Sequence, residues 1–334
     1  MMARYSTASS VLEGATCLKS KPLVSVIIPA YRVGGFIKET LQSVLNQTFE
    51  DYEVIVINDG SPDTPLLEEQ IQPHSHLITY LKQPNGGAGA ARNAGIRVAQ
   101  GEFVAFLDGD DVWLPNFLTA QLELLSNDVG YDLVYADATN FTDAGLSQTT
   151  NMDMNPSEGE VTVESLISAR CSVITSSVVA RRSKLVAVGC FDERFRNSQD
   201  FDLWLRLAKQ GARFAYQKRV LVHRRIYEGS LASNPVNSLE GEIKVLENAR
   251  DKGDLTAAEQ SVLLETLELR RAMVGVWKGK QKLSTGEFDS ALRDFDLANH
   301  YFRSWKLRIV TLWLRLAPRS LQRIYLARSS SFQH

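Results

Sequence analysis

Directly after the apolar run Phe103–Leu107, Asp108-Gly109-Asp110-Asp111 places three carboxylates within four residues. Carboxylates held together on a tight turn repel one another unless a cation sits among them. Hard divalent ions such as Mg²⁺ or Mn²⁺ take such oxygens and bridge them to substrate phosphates. Asp and Gly also favour turns without any ligand, so the tetrapeptide alone leaves a bare turn open. Asp59, at the end of the run Val54–Ile57-Asn58, could accept hydrogen bonds from a nucleobase or ribose, or could simply close a turn. The stretch Gly86-Gly87-Ala88-Gly89-Ala90-Ala91-Arg92 is a poor dinucleotide fingerprint, because Arg92 stands where a small residue belongs. It reads better as a loop feeding a helix whose first turn carries Arg92-Asn93, where a cation can meet a phosphate or a base edge. In Ser198-Gln199-Asp200-Phe201-Asp202-Leu203-Trp204, Asp200 lies in the first turn of a helix, and a simple cap would account for it. His223 precedes Arg224-Arg225 and, as a lone histidine, reads as structural.

These residues fall at the ends of regular elements. Val24-Ser-Val-Ile-Ile28, Val54–Ile57, Leu77–Leu81 and Phe103–Leu107 are short apolar runs of the kind that suits strands buried on both faces. Helical spacing occupies the intervals, at Phe36–Gln47, Leu66–Ile71 and Gly89–Ala99. Alternation of this kind predicts an α/β fold with a mostly parallel central sheet, in which ligands bind beyond the carboxyl ends of the strands. Ala30-Tyr31, Asn58-Asp59, Gln83–Gly87 and Asp108–Asp111 all lie there, so four loops are expected on one rim. Further strands are expected at Leu133–Ala136, Val173–Val179 and Arg219–Val222, with helices near Val163–Ala169 and Phe201–Gln210. Helical periodicity takes over from about Pro235, and Thr256-Ala-Ala-Glu259 has the spacing of a capping box. The expected organisation is a Ser/Thr-rich flexible tail at 1–22, a catalytic unit at 23–235 and a C-terminal α-helical region at 236–334.

The composition of the 334 residues is globular, with 44% hydrophobic and 23% charged residues, and a net charge of −2 gives no reason to expect nucleic acid as a partner. The charge is unevenly placed. With 30 of the 37 Lys and Arg and all 39 Asp and Glu in residues 1–296, that part carries a formal −9. The remainder holds Arg303, Lys306, Arg308, Arg315, Arg319, Arg323 and Arg328 and no acidic residue. On a helical wheel Arg308, Thr311 and Arg315 form a narrow polar stripe and Trp305, Leu307, Ile309, Val310, Leu312, Trp313, Leu314 and Leu316 cover the rest. Such a helix can lie in a membrane interface through 303–328, or it can pack its apolar side on neighbouring helices. Cys17, Cys171 and Cys190 are too few and scattered for a disulfide framework. No apolar run approaches the roughly 18 residues of a membrane-spanning helix. The expected location is cytoplasmic, with peripheral contact to the cytoplasmic face of a membrane.

Together, five stretches resemble family 2 glycosyltransferases, the inverting enzymes of GT-A fold. They are Val24-Ser-Val-Ile-Ile-Pro-Ala-Tyr31, Val54-Ile-Val-Ile-Asn-Asp-Gly-Ser61, Asn85–Gly95, Phe106-Leu-Asp-Gly-Asp-Asp111 and Gly189–Leu207. They stand in the family's order over about 22–232. The resemblance implies that Pro29, Ala30 and Tyr31 line a nucleobase pocket, that Asp59 bonds the base and that Arg92 supports the nucleotide. It implies that Asp108 and Asp110 form the Asp-x-Asp motif, with Asp110, aided by Asp111, on a divalent metal (Mg²⁺ or Mn²⁺). It implies that Asp200 is the catalytic base. Two positions depart from the pattern: Gln199 replaces the family's usual Glu before the base, and Tyr227 stands where a metal-binding His is frequent. The activity implied is transfer of a sugar from a nucleoside-diphosphate sugar, most commonly a UDP-sugar, to a hydroxyl of a saccharide or lipid-linked acceptor. Polysaccharide, glycolipid or other glycoconjugate biosynthesis is the setting expected. The alternative is a nucleotide-sugar-binding protein with impaired catalysis; a glycosidase would need neither the metal motif nor Arg92.

Overall fold

Val24–Ala30 forms the first strand, β1, and nearly every side chain along it is buried, because the run is apolar on both faces. The computed structural model describes residues 21–127, 130–155, 157–227, 229–230 and 234–330. The expected tail at 1–22 lies almost wholly outside them. Beyond β1, the first half of the chain alternates as its periodicity requires. Helix α1 (Ile37–Leu45), β2 (Tyr52–Asp59), α2 (Thr64–Ile71), β3 (Ile78–Gln83), α3 (Ala88–Val98) and β4 (Phe103–Phe106) follow in order. β5 (Val112–Trp113), α4 (Phe117–Asn127), β6 (Leu133–Thr142), β7 (Gly145–Thr150), α5 (Asn151–Met154) and α6 (Val163–Ile167) come next. The unit closes with β8 (Val179–Arg181), α7 (Arg182–Ala187), α8 (Gln199–Lys209) and β9 (Phe214–Arg225).

The sheet runs β3-β2-β1-β4-β8-β6-β9-β5, with β7 beside β6. Its long pairings, β1 with β2 and β4, β2 with β3 and β6 with β9, are parallel; the short β8 and β5 and the hairpin strand β7 pair antiparallel. This is a mixed α/β fold with a mostly parallel central sheet. Alternate residues of β1 serve two cores. Ile27 faces Ala91, Ala94 and Ile96 of α3 on one side. Val26 and Ile28 face Ile37 and Leu41 of α1 on the other. Each such aliphatic side chain, fully withdrawn from water, contributes roughly 1.5–3 kcal/mol. Gly95 sets how closely α3 can lie on the sheet, since a Cβ there would fall 2.6 Å from Ile27 Cγ2.

Five helices follow among the described residues: α9 (Pro235–Lys252), α10 (Ala257–Thr285), α11 (Phe288–Phe302), α12 (Trp305–Leu316) and α13 (Pro318–Ser330). The capping box read at Thr256–Glu259 is present in both directions. The core does not stop at residue 235. Val245 and Leu246 of α9 and Leu263 and Leu267 of α10 are buried in the same cluster as Trp204 and Leu207 of α8. Two smaller cores lie beyond it, one of Val236, Leu239 and Val274 between α9 and α10 and one at the far end of Leu283, Ala291, Phe295, Leu314 and Leu321. The expected strand at Val173–Val179 takes a different form. Thr175–Ser177 is a 3₁₀ turn, and β8 begins only at Val179. β-branched Val173, Ile174 and Thr175 carry a strand signal, but the buried hydroxyls that follow are engaged across the site.

Candidate active site

The ends of β1, β2, β3 and β4 meet on one rim, each held there by a bond from a neighbouring loop. Asp59 Oδ1 accepts from Gln83 Nε2 at 2.7 Å and from the Gly86 amide at 2.8 Å, and its Oδ2 accepts from the Gly87 amide at 2.7 Å. Asp59 is 2% exposed, so it brackets the β3–α3 loop from below. The loop after β1 is tied to the one after β2 by the Arg32 amide donating to Ser61 Oγ at 2.6 Å and the Gly34 amide to Asp63 Oδ2 at 2.8 Å. Pro29 and Ala30 end β1, while Tyr31 projects from it with 42% of its surface exposed. Gly109 accepts from Thr40 Oγ1 through its carbonyl at 3.0 Å. A Cβ at that position would lie 2.9 Å from the Pro29 carbonyl, so only glycine lets the Asp108–Asp111 turn nest this close to β1.

The three carboxylates of that turn have different surroundings. Asp108 is the most open, with 38% of its side chain exposed, and it is paired with Arg92. The Arg92 guanidinium is buried over the Phe191 ring, 5.4 Å from its centroid, and its Nε and Nη1 have no protein partner. Arg92 therefore lies beneath Asp108, not on the solvated face of α3. Asp110 is bonded by the Tyr227 hydroxyl; burial, and then the Asp108 charge, push it up to about 6. Burial also raises the Tyr227 phenol, with Asp110 adding to it, so the proton stays on the tyrosine and is donated to the carboxylate. Asp111 is 5% exposed, and both of its oxygens are used: Oδ1 accepts from the Arg225 amide at 3.0 Å and Oδ2 from Ser176 Oγ at 2.6 Å. Burial, then Asp110 and Asp108, push Asp111 up to about 7. It is built into the floor behind Asp110, and Asp108 and Asp110 are the carboxylates nearer the opening. Arg225 completes that floor. Its guanidinium lies between the rings of Phe36 and Phe141, at 4.8 and 4.3 Å, donates to the Asp110 carbonyl at 3.1 Å and pairs with Glu39.

Asp200 opens α8 across the 3₁₀ turn. Its Oδ2 accepts from Thr175 Oγ1 at 2.6 Å and its Oδ1 from the adjacent Phe201 amide at 2.9 Å. An N-cap residue accepts from the amide two or three positions on, so Asp200 does not act as one. Ser198 before it is left-handed, at φ 58°, and makes no side-chain cap. Gln199 is buried, with its Cγ close against Gly89 at the start of α3. His223 lies on β9 opposite Val112, and burial holds it below its ordinary value.

Thr175 and Ser176 were not foreseen, and they join the two halves of the site. Ser176 Oγ donates to Asp111 and accepts from the Asp108 amide at 3.2 Å, while Thr175 grips Asp200. The Ser176 carbonyl is fixed by Trp113 Nε1 at 2.7 Å and the Ser177 carbonyl by Gln121 Nε2 at 2.7 Å. Three consecutive hydroxyls in an otherwise apolar stretch, Thr175-Ser176-Ser177, were the available signal.

A mostly parallel sheet with acidic residues at the end of its fourth strand, followed by C-terminal helices, is an arrangement of GT-A type. Residues 25–172 match the glycosyl transferase family 2 model. An uncharacterised glycosyltransferase of Rickettsia prowazekii is 30% identical over 66% of this chain and 69% of its own length. The chain belongs to glycosyltransferase family 2. Two solved structures share the fold. Staphylococcus aureus TarS 1–349 in complex with UDP-GlcNAc superposes with a TM-score of 0.60, at 20% identity over 92% of this chain and 91% of that one. The mannosyltransferase PcManGT of Pyrobaculum calidifontis, in complex with GDP-Man and Mn²⁺, gives 0.61 at 18% identity, over 92% and 85%.

Proposed function

We propose that this glycosyltransferase moves a sugar from a nucleoside-diphosphate sugar, a UDP-sugar in the first instance, to a hydroxyl of a saccharide or lipid-linked acceptor, with inversion. Glycan, glycolipid or polysaccharide synthesis is the setting this reading favours. The observation that carries it is the turn Thr175–Ser177, which holds the Asp108–Asp111 carboxylates and Asp200 in one frame from opposite sides. A UDP-GlcNAc complex of one structural neighbour and a GDP-Man complex of another support the donor class.

The donor set suits a divalent ion by its chemistry. Asp110 and Asp108 supply carboxylate oxygens beside one another at the rim, and their mutual repulsion and burial call for a cation. Among the described residues no group of three or more His, Cys, Asp and Glu side chains is assembled for an ion. Mg²⁺ and Mn²⁺ need only one or two protein carboxylates where substrate phosphates complete the shell. Asp110 would be the principal ligand, with Asp108 beside it and Asp111 supporting from the floor. When bound, such an ion stabilises the charge that grows on the leaving diphosphate. Tyr227, at the position of the family's frequent histidine, keeps its proton and directs Asp110 by hydrogen bonding. Arg92 fixes Asp108 with its charge. Pro29, Ala30 and Tyr31 would line the base, and Asp59 would hold the base-side loop and its amides in place. Asp200, oriented by Thr175, would take the acceptor proton as that oxygen attacks the anomeric carbon.

The test is release of nucleoside diphosphate from a panel of nucleotide-sugars with Mn²⁺ or Mg²⁺, alone and with candidate acceptors. Asp200→Asn should retain donor binding and lose turnover. Gln199 and Tyr227 also admit a donor-binding protein with impaired catalysis. Tight donor binding, with no release above that of Asp200→Asn for any acceptor, would establish that second reading instead.

A further inference from the structure

The wheel of α12 left two readings, an apolar side packed on neighbouring helices or one laid in a membrane interface, and in the structure the helix packs on its neighbours by one side only. Thr311 and Leu314 are buried, with Leu307 and Val310 packed beside them on the small core of Leu283, Ala291, Phe295 and Leu321. The buried hydroxyl of Thr311 is satisfied by the Arg308 carbonyl at 3.1 Å. On the opposite side Trp305 is 66% exposed, Ile309 49%, Leu312 57%, Trp313 36% and Leu316 76%. At 100° per residue these five fall within an arc of about 100°. Lys306 borders that arc on one side, and Arg308 borders it on the other beside Arg315, which is paired with Asp296 at 2.8 Å. The helix is bound to the protein by its less apolar side and presents its more apolar side outward.

We infer that this outward face of α12 docks in the plane of an anionic lipid bilayer surface. The charge around it supports that partner: after Asp296 the sequence holds seven Lys and Arg and no acidic residue, while residues 1–296 carry a formal −9. Long basic side chains at the edges of an apolar stripe reach toward headgroups while their stems cover hydrocarbon. Trp305 and Trp313, two turns apart on the stripe, have the amphipathic rings that concentrate at membrane interfaces. Ile324 and Leu326 of α13 add exposed apolar surface beside Arg323. Twelve residues of helix reach about 18 Å, short of the roughly 30 Å hydrocarbon core, so α12 lies along the surface. Among the described residues no helix is long and apolar enough to cross a membrane. A second copy of the chain fits the face less well. A two-fold contact would set the Lys306 and Arg308 borders of one copy against the same cations of the other.

The full chain is sedimented with vesicles of phosphatidylcholine alone and of phosphatidylcholine mixed with phosphatidylglycerol, at low and high salt. The wild type should partition at least about tenfold better onto the anionic vesicles at low salt, and lose that preference as salt rises. Leu312→Glu with Leu316→Glu replaces two exposed side chains and should lower partition by roughly tenfold or more with an unchanged melting temperature. Lys306→Glu with Arg308→Glu, which leaves the apolar stripe intact, should abolish the preference for the anionic lipid and serves if the first variant misfolds. Equal binding to both vesicle types, or equal binding by wild type and variants, overturns the inference. So does a wild-type dimer that Leu312→Glu with Leu316→Glu converts to a monomer while neither binds vesicles.

Discussion

Removing the charge of Asp110 should stabilise the metal-free protein while disabling it. The carboxyl is shifted from the ordinary 3.8 up to about 6, first by burial and then by Asp108. A carboxylate whose folded-state value is raised keeps native stability at low pH and loses it as pH climbs through the folded value. Near pH 8 both states are ionised, and the displacement from 3.8 to about 6 corresponds to roughly 3 kcal/mol of destabilisation. Asp110→Asn keeps the shape and an acceptor for Tyr227 and removes that penalty. Because the buried amide is itself polar and accepts a weaker bond from Tyr227 than the carboxylate does, a gain of about 2 kcal/mol at pH 8 is the expectation. For a chain of this size that raises Tm by several degrees, at about 2 °C or more per kcal/mol. At pH 4, where the native carboxyl is already protonated, the gain should shrink below about 1 kcal/mol. Thermal unfolding in EDTA at the two pH values measures both. In the same variant, metal-dependent donor affinity should collapse. An Asp110→Asn protein that melts at or below wild type at pH 8, or gains equally at pH 4, would refute the claim that burial and mutual repulsion make these carboxylates costly to ionise.

The other expectations follow from individual contacts. Asp200→Asn should retain donor binding and lower turnover by about 10² or more, the scale of losing general-base help; turnover kept at a lowered melting temperature would make the carboxylate structural. Thr175→Val removes the 2.6 Å bond to Asp200 and should lower kcat with little change in donor affinity, read by steady-state kinetics beside a binding titration. Gly95→Ala puts a methyl within 2.6 Å of Ile27 and should destabilise by about 1–3 kcal/mol in denaturant unfolding. EDTA should abolish metal-dependent nucleotide binding, with Mn²⁺ or Mg²⁺ restoring it.

Most of the sheet was legible because β1, β2 and β4 are apolar on both faces, a pattern few other elements require. The rim was legible for the same reason: turn residues at strand ends can converge only at one edge of a parallel sheet. Three features were hidden. The turn at Thr175–Ser177 looked like a strand because β-branched residues carry the same local signal, while its bonds to Asp111 and Asp200 span 65 and 25 positions. Asp111 read as an aid to Asp110 on the metal, because adjacent carboxylates look alike until burial and the Arg225 amide distinguish them. The outward turn of α12 depended on which side α11 and α13 would claim, and a wheel cannot state that. The boundary drawn at 235 followed a change of periodicity, which marks where helices begin and not where a core ends.

Gly241 of α9 gives that last point a practical edge. A Cβ there would lie 2.7 Å from Ser198 Oγ and 2.9 Å from Asn197 Cβ, in the left-handed step that launches α8 two residues before Asp200. The helix that follows the catalytic unit thus presses, through its one small residue at that spot, on the segment that aims Asp200. The two parts are not interchangeable modules. A chimera that kept residues 23–235 and borrowed a C-terminal bundle from a relative would inherit a site in which Asp200, the base we propose, is aimed by a foreign helix. Its fitness as a catalyst would then depend on whether the donor supplied a glycine at that crossing, a criterion for choosing fusion partners that overall similarity does not capture.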